Sequence, residues 1–354
     1  METILIARSP LHISFGGSNT ALQSQYEERG GSVLSMALNY YVYTILAPSR
    51  LDDVQIIYAG QHDVYGDSAR RDPGRLDPLE LLKAIIYHFK VRNGMNVFLA
   101  SQAPPGLGLG HTASMAVSTI KAIAFSCGLD LEPEEVAELA SYIEIDKLKM
   151  PVGKQDQYAA AFGGLTSITF GKRSASAEPL GLTEEVRQSL ERHLLLFSNG
   201  IQNHQSDHLV VRSRDRTTDR SIEALQKLTL DIRSALEGGD LVAFGDLLHQ
   251  CWLEKHQPGE SSDFSLDRYY QLARENGAIG GDACQGSGFL VLYCPESRQK
   301  AVIEVLRGTG LRRWPFVLEE EGVQMMQAVP WSRPQVMSAG AWPQQAALQR
   351  STFA

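Results

Sequence analysis

Three glycines fall within the seven residues Pro104-Pro-Gly-Leu-Gly-Leu-Gly110, between a strand-like run and an apolar-periodic segment. The run is Asn96-Val-Phe-Leu-Ala100. The segment places Met115, Val117, Ile120, Ile123 and Ala124 at helical spacing, which predicts a helix ending at about Cys127. Glycine lets a backbone turn tightly and approach a ligand closely, and the unpaired N–H groups of a helix's first turn attract anions. The expected chemistry is a phosphate cradle made by Pro105, Gly106, Leu107, Gly108, Leu109 and Gly110, continued into the helix by His111, Thr112 and Ser114. The alternative is a glycine-rich connection that binds nothing. A Walker loop would need a lysine after Gly110, and a dinucleotide fingerprint starting at Gly106 would need glycine at 111; neither is present.

A second polar group follows in Lys154-Gln-Asp-Gln157, between Pro151 and the glycine pair 163–164. Its polarity and its closeness to a glycine turn read, taken alone, as a solvated turn.

The elements that must position these groups are legible as periodicities. Residues 3–7 and Tyr40–Leu46 read as strands, and residues 50–75 as short strands and loops. Leu79–Phe89 has helical spacing, and His62 and His88 read as surface or internally satisfied histidines. A helix is predicted over Glu132–Lys149, carrying Glu144 and stopping before Pro151, because proline cannot continue a helix and disfavours it in the preceding residue. Leu165–Phe170 reads as a strand, and the charged, turn-rich stretch 171–190 is the expected domain boundary. Beyond it, the expected elements are a strand at His193–Phe197 and helices over 219–237, 240–256 and 266–276, the last capped by Gly277. A glycine turn then feeds a buried strand between Gly280 and Cys294. From 331 onward the Pro, Ala and Gln content predicts a loosely ordered tail.

At 354 residues the chain is long enough for two domains with separate cores. Its 43% hydrophobic and 21% charged residues are ordinary for a globular protein. A net charge of −8 without a basic run argues against nucleic acid as a partner. Four cysteines without metal-ligand spacing suggest reduced thiols, and the start of the chain has neither a signal peptide nor a span. A cytoplasmic protein with no membrane association, and with homodimer formation open, is the expectation.

The glycine stretch resembles the phosphate motif of the GHMP kinases, Pro-x3-Gly-Leu-Gly-Ser-Ser-Ala, with His-Thr-Ala in place of Ser-Ser-Ala. Arg8-Ser-Pro-Leu-His-Ile-Ser-Phe-Gly-Gly-Ser-Asn-Thr20, Tyr26–Leu34 and above all Pro151–Gly164 resemble the branch that includes D-glycero-D-manno-heptose 7-phosphate kinase. The resemblance spans roughly residues 3–327. It implies a mixed α+β, two-domain fold: an N-terminal α/β domain of ribosomal-S5-domain-2-like type over 1–188 and a ferredoxin-like α+β domain over 189–330.

The function implied is ATP-dependent transfer of a phosphoryl group to a hydroxyl of a sugar, a sugar phosphate or a related polyol, with ATP and Mg²⁺ as cofactors. The alternatives are a diverged member that binds ligand without efficient transfer, or another reaction on the same scaffold. The resemblance places Asp156 beside the reacting hydroxyl with His12 in the position of a cation, and assigns Glu144, with a hydroxyl from Thr112, to the metal. It assigns Gly17, Ser18, Asn19, Thr20, Lys154, Gln155, Gly200, Gly286, Ser287 and Gly288 to the substrate. The chain departs from the family pattern at Ala21 for an aspartate, His12 for the cation, His111 for a serine and Asp282 for a lysine. Its third glycine motif is shortened, and the loop 198–207 lacks the family's arginine.

Overall fold

The computed structural model describes residues 3–17, 20, 23–49, 53–58, 61–65, 78–91, 94–103, 109–172, 175–198, 219–256, 264–283 and 288–330. Pro105–Gly108, Ser18, Asn19, Gly200, Gly286, Ser287 and the tail 331–354 lie outside the described residues.

Two long strands organise the first sheet. β1 (Thr3–Phe15) and β2 (Gly31–Pro48) run antiparallel, and between them lies α1 (Gln23–Arg29). The sequence predicted a strand ending at residue 7. It continues to Phe15 because the following residues keep pairing with β2 after a register shift between Pro10 and Leu11, next to a proline that has no N–H to give the ladder. β3 (Val54–Tyr58) and β4 (Gln61–Tyr65) form a hairpin, followed by α2 (Pro78–His88) and β5 (Met95–Ser101). With β6 (Leu165–Phe170), β7 (Ala175–Pro179) and β12 (Gln324–Pro330), these make an eight-stranded sheet. Its path is β12-β1-β2-β5-β3-β4, with β6 and β7 branching from β2, and the β3–β5 pairing is parallel.

α3 (His111–Ser126) lies on this sheet and is buried around most of its circumference. An apolar helix surrounded in this way needs few polar contacts, but those it has are specific. Thr44 Oγ1 on β2 meets Ser118 Oγ at 2.9 Å and Thr119 Oγ1 at 3.1 Å, fixing rotation about the helix axis. α4 (Pro133–Ser141) follows, but the helix expected to continue to Lys149 changes character. Tyr142–Lys147 is a π-helical turn, and Leu148 N–H reaches back to the Ile143 carbonyl. The wider turn rotates Glu144 away from the position an α-helix would give it, and such turns gather at functional sites. Residues 154–157, read from polarity alone as a solvated turn, open α5 (Gln155–Phe162), because the alanine run after Tyr158 favours helix and packs inward.

The stretch 171–190, expected to be turns, contains β7 and most of α6 (Glu184–His193), whose N-cap Thr183 accepts from Val186 N–H. The second sheet has order β11-β8-β10-β9, from β8 (Leu194–Ser198), β9 (Gly280–Ala283), β10 (Phe289–Tyr293) and β11 (Arg312–Trp314). Between β8 and β9 come α7 (Asp219–Glu237), α8 (Leu241–Lys255) and α9 (Phe264–Glu275); α10 (Glu296–Gly308) joins β10 to β11. This is the split βαβ arrangement of a ferredoxin-like unit.

The two sheets are not independent. Phe15 at the end of β1 meets Phe244 of α8 edge-on at 5.5 Å, and Phe244 meets Tyr293 of β10 at 5.6 Å, so one apolar core runs through both. The segment after β11 returns to the first sheet, so the expected second domain, 189–330, gives its last strand, β12, to β1. On the way it braces α5: Val323 N–H bonds to Ala161 O at 3.0 Å, and a Cβ on Gly322 would fall 1.9 Å from that same carbonyl oxygen. No helix among the described residues is long and apolar enough to cross a membrane.

Candidate active site

Gly110 caps α3 in the left-handed conformation, with φ 69°, and Leu109 before it is also left-handed, at φ 61°. For leucine this conformation costs about 1–2 kcal/mol. It is held because Leu109 O accepts from His12 N–H at 3.1 Å and the leucine side chain is buried. The His12 ring covers Gly110 so closely that a Cβ there would lie 1.9 Å from its Cε1. Glycine is thus required at 110 twice, by φ and by contact.

On its other side His12 meets α5. Its Nε2 is 3.1 Å from Asp156 Oδ1. The imidazole is 2% exposed and the carboxylate 41%, so Asp156 is anchored from within and open to a ligand from without. β1, the end of the glycine loop and α5 therefore converge on one buried ring.

The residue after Asp156 turns inward. Gln157 Nε2 donates to Glu144 Oε2 at 3.0 Å, and both residues are about 1% exposed. Burial, with a smaller contribution from the nearby Asp156 charge, pushes the Glu144 carboxyl up to about 8. Glu144 Oε1 is buried without a hydrogen-bond partner, as are His12 Nδ1, Gln155 Oε1 and Gln157 Oε1. Buried polar atoms are normally satisfied; unpartnered ones also occur elsewhere in the fold, and those of Glu144 and Gln157 leave capacity for a further group beside Asp156.

A divalent cation fits this chemistry. Among the described residues no group of three or more His, Cys, Asp or Glu forms a protein cage. Mg²⁺, however, is usually held by one or two carboxylates together with waters and substrate phosphates, and the unpartnered Oε1 of Glu144 is the protein oxygen suited to that share.

Residues 79–164, which carry α3, Glu144 and Asp156, match the family model described as GHMP kinases N terminal domain. The heptose 7-phosphate kinase of Campylobacter jejuni, D-glycero-alpha-D-manno-heptose 7-phosphate kinase, is 27% identical over 338 residues, covering 92% of this chain and 99% of that protein. The chain thus carries a match to the GHMP kinase N-terminal domain and is similar to a heptose phosphate kinase over nearly its full length. A galactokinase of Pyrococcus furiosus is 22% identical over 80% of this chain and 86% of its own length. The solved structure of a D-glycero-D-manno-heptose 1-phosphate kinase from Bacteriodes thetaiotaomicron shares the fold, with TM-score 0.76 and 22% identity over 91% of this chain and 99% of that one.

Within this scaffold, several residues expected at the site serve other purposes. Ser114 Oγ donates to Pro10 O at 2.7 Å and ties α3 to β1, so its hydroxyl is not turned toward a phosphate. Thr112 is exposed at the helix start and remains available. Lys154 reaches away from Asp156 to Glu138 of α4, at 2.9 Å and 3.1 Å, where Tyr158 also donates to Glu138. Thr20 is fully buried; its hydroxyl bonds to Gly17 O and accepts from Ser32 N–H, holding the turn shut. Gly17 N–H donates to Thr229 Oγ1 on α7 at 2.8 Å. Thr20 and Gly17 therefore build the turn, and contact with substrate is not their observed role. Gly288 is buried at the entry to β10. Asp282, in place of the family's lysine, forms a buried pair with Lys255 Nζ at 2.6 Å.

His111 departs furthest from expectation. Its ring turns neither to solvent nor outward as a charged donor. It is 6% exposed and lies 6.3 Å, centroid to centroid, from Tyr58 of β3. Burial lowers its pKa to about 4, so it is neutral at physiological pH. The His111 resonance in an NMR titration should accordingly stay flat between about pH 6 and pH 8, and His111→Ser should change nucleotide affinity equally at both ends. A midpoint above about 6 would show a ring open to water.

Gln157, Tyr58, Thr229 and Glu138 had not been read as partners of the site. For Gln157 a signal existed: the helix-favouring run Tyr-Ala-Ala-Ala-Phe starts α5 early enough to turn residue 157 inward. For the other three, sequence separations of 16 to 212 residues left no local trace.

Proposed function

We propose that the protein is an ATP-dependent kinase that transfers the γ-phosphoryl group to a hydroxyl of a sugar or sugar phosphate, of the heptose phosphate kind. The carrying observation is the half-exposed Asp156 held by His12, whose ring also lies against the last glycine of the phosphate loop. This sets an acceptor for the hydroxyl proton directly beside the phosphate cradle. As the sugar oxygen bonds to the γ-phosphorus and the bond to the departing ADP oxygen breaks, the hydroxyl proton passes to Asp156. His12 keeps the carboxylate oriented, and the N-terminus of α3 offers backbone N–H groups to the nucleotide phosphates. Bound Mg²⁺ would be held by Glu144, with the exposed hydroxyl of Thr112 in reach of the same helix end. When present, it supplies charge neutralisation across the phosphates.

Heptose phosphates are the favoured substrate class because of the likeness to the Campylobacter jejuni protein over nearly the full length of both chains. The test is ADP release measured against a panel of hexoses, heptoses and their 1- and 7-phosphates. The expected result is turnover confined to sugar acceptors and fastest with a heptose phosphate. ADP release that is the same with and without every acceptor would overturn the assignment.

A further inference from the structure

Glu144 is held by one hydrogen bond from a neutral amide, and that arrangement is informative. Gln157 Nε2 bonds to Oε2, leaving Oε1 buried without a hydrogen-bond partner, as is Gln157 Oε1. A lysine or arginine in the same place would satisfy the carboxylate more strongly, but it would also compete with a cation for its charge. An amide orients without neutralising. The backbone is arranged to serve the same contact. The π-turn carries Glu144 inward, Met150 N–H closes on the Glu144 carbonyl at 2.9 Å, and α5 brings Gln157 to it one residue after Asp156.

We propose that Gln157 is a positioning residue for a divalent cation: its amide N–H fixes Glu144 Oε2 so that Oε1 is presented as the metal ligand. This rests on the reading that Glu144 holds the cation. Because Gln157 and Asp156 are consecutive on α5, one helix start sets both the proton acceptor and the metal carboxylate. A displacement of α5 would disturb both together.

The test measures binding of the full-length chain to the Mn²⁺ complex of a non-hydrolysable ATP analogue, by water-proton relaxation enhancement, which reports the metal itself. Gln157→Met keeps the volume and removes the donor. It should weaken the Mn²⁺ complex about 10-fold or more, the usual range for losing a partner that orients a metal ligand. Affinity for the analogue in EDTA should be unchanged. Gln157→His, which can return a ring N–H to the Nε2 position, should recover most of the loss. In a Glu144→Gln background, adding Gln157→Met should cost nothing further, since the amide acts only through the carboxylate.

The inference is overturned if Glu144→Gln loses the metal complex while Gln157→Met keeps it, if Gln157→Met weakens metal-free binding equally, or if the two losses add. Should Gln157→Met fail to fold, a folded Gln157→His chain that loses the Mn²⁺ complex overturns it as well. If wild type and Glu144→Gln bind the Mn²⁺ complex equally, the failure is that of the cation assignment itself. That outcome is distinct from a failure of Gln157 alone.

Discussion

Asp156→Asn should lower kcat by about 10²–10⁴, the range expected when a positioned general base is removed. Nucleotide affinity should be nearly unchanged. Asparagine keeps the side-chain shape, and its Oδ1 can still accept from His12 Nε2, so the contact between α5 and β1 survives. The phosphate cradle depends on Leu109, Gly110 and the start of α3, which are held by His12 and not by the carboxylate charge. What disappears is the capacity to take the hydroxyl proton as phosphorus–oxygen bond formation proceeds. The effect should fall on kcat, because the interaction lost exists only in the transition state. Single-turnover measurements with saturating nucleotide and acceptor provide the check. A variant with near-wild-type kcat would move the proton acceptor elsewhere and end the role given to Asp156.

Glu144→Gln should abolish cation-dependent turnover and, in the same molecule, stabilise the metal-free protein. The sign follows from the carboxyl being raised to about 8 in the folded chain against an ordinary value of 4.5. Below about pH 4.5 both folded and unfolded chains hold the proton, and the residue is neutral toward stability. As pH rises the unfolded chain ionises first while the folded chain resists. Stability is therefore lost progressively through this window, and the loss is complete above about pH 8. The gap between the two values corresponds to a deficit on the order of 5 kcal/mol at most. Glutamine cannot ionise, and it still accepts the Gln157 amide hydrogen bond.

In EDTA, the melting temperature of Glu144→Gln should exceed that of wild type by several degrees near pH 8, and the difference should shrink steadily toward pH 5. A variant less stable than wild type at pH 8 would mean that the carboxyl is not desolvated as the structure has it. The combination of gained stability and lost activity is the usual signature of a group kept in a costly environment for its chemistry.

Much of the architecture was readable from one chain. The periodicity around 96–126 gave β5 and α3 almost to the residue, since an apolar strand and an apolar helix separated by glycines leave few other folds open. The errors fell where polarity was local but packing was not. Residues 154–157, taken alone, look like a turn because Lys154, Gln155, Asp156 and Gln157 are polar. In the structure α5 buries its alanines, and Lys154, Asp156 and Gln157 at its start go to three different partners. The long helix read over 132–149 breaks into a π-turn that apolar spacing alone does not reveal.

The sequence by itself supplied a glycine-lined helix start and two carboxylates, whose meeting at one site the family resemblance implied, and showed that His12, His111, Ala21 and Asp282 break the family pattern. Those are matters of residue type and short-range order. Only the tertiary structure decided what each residue does. His12 and Asp156, 144 positions apart, become one pair because β1 and α5 lie side by side. Ser114 and Thr20, chemically suited to bind ligands, are taken by backbone groups of β1 and of their own turn. His111, which a sequence allows to be charged, is made neutral by burial next to Tyr58. The physical reason is the same in each case: a side chain's charge and free hydrogen-bonding capacity depend on which groups exclude water from it, and in this chain those groups come from distant segments.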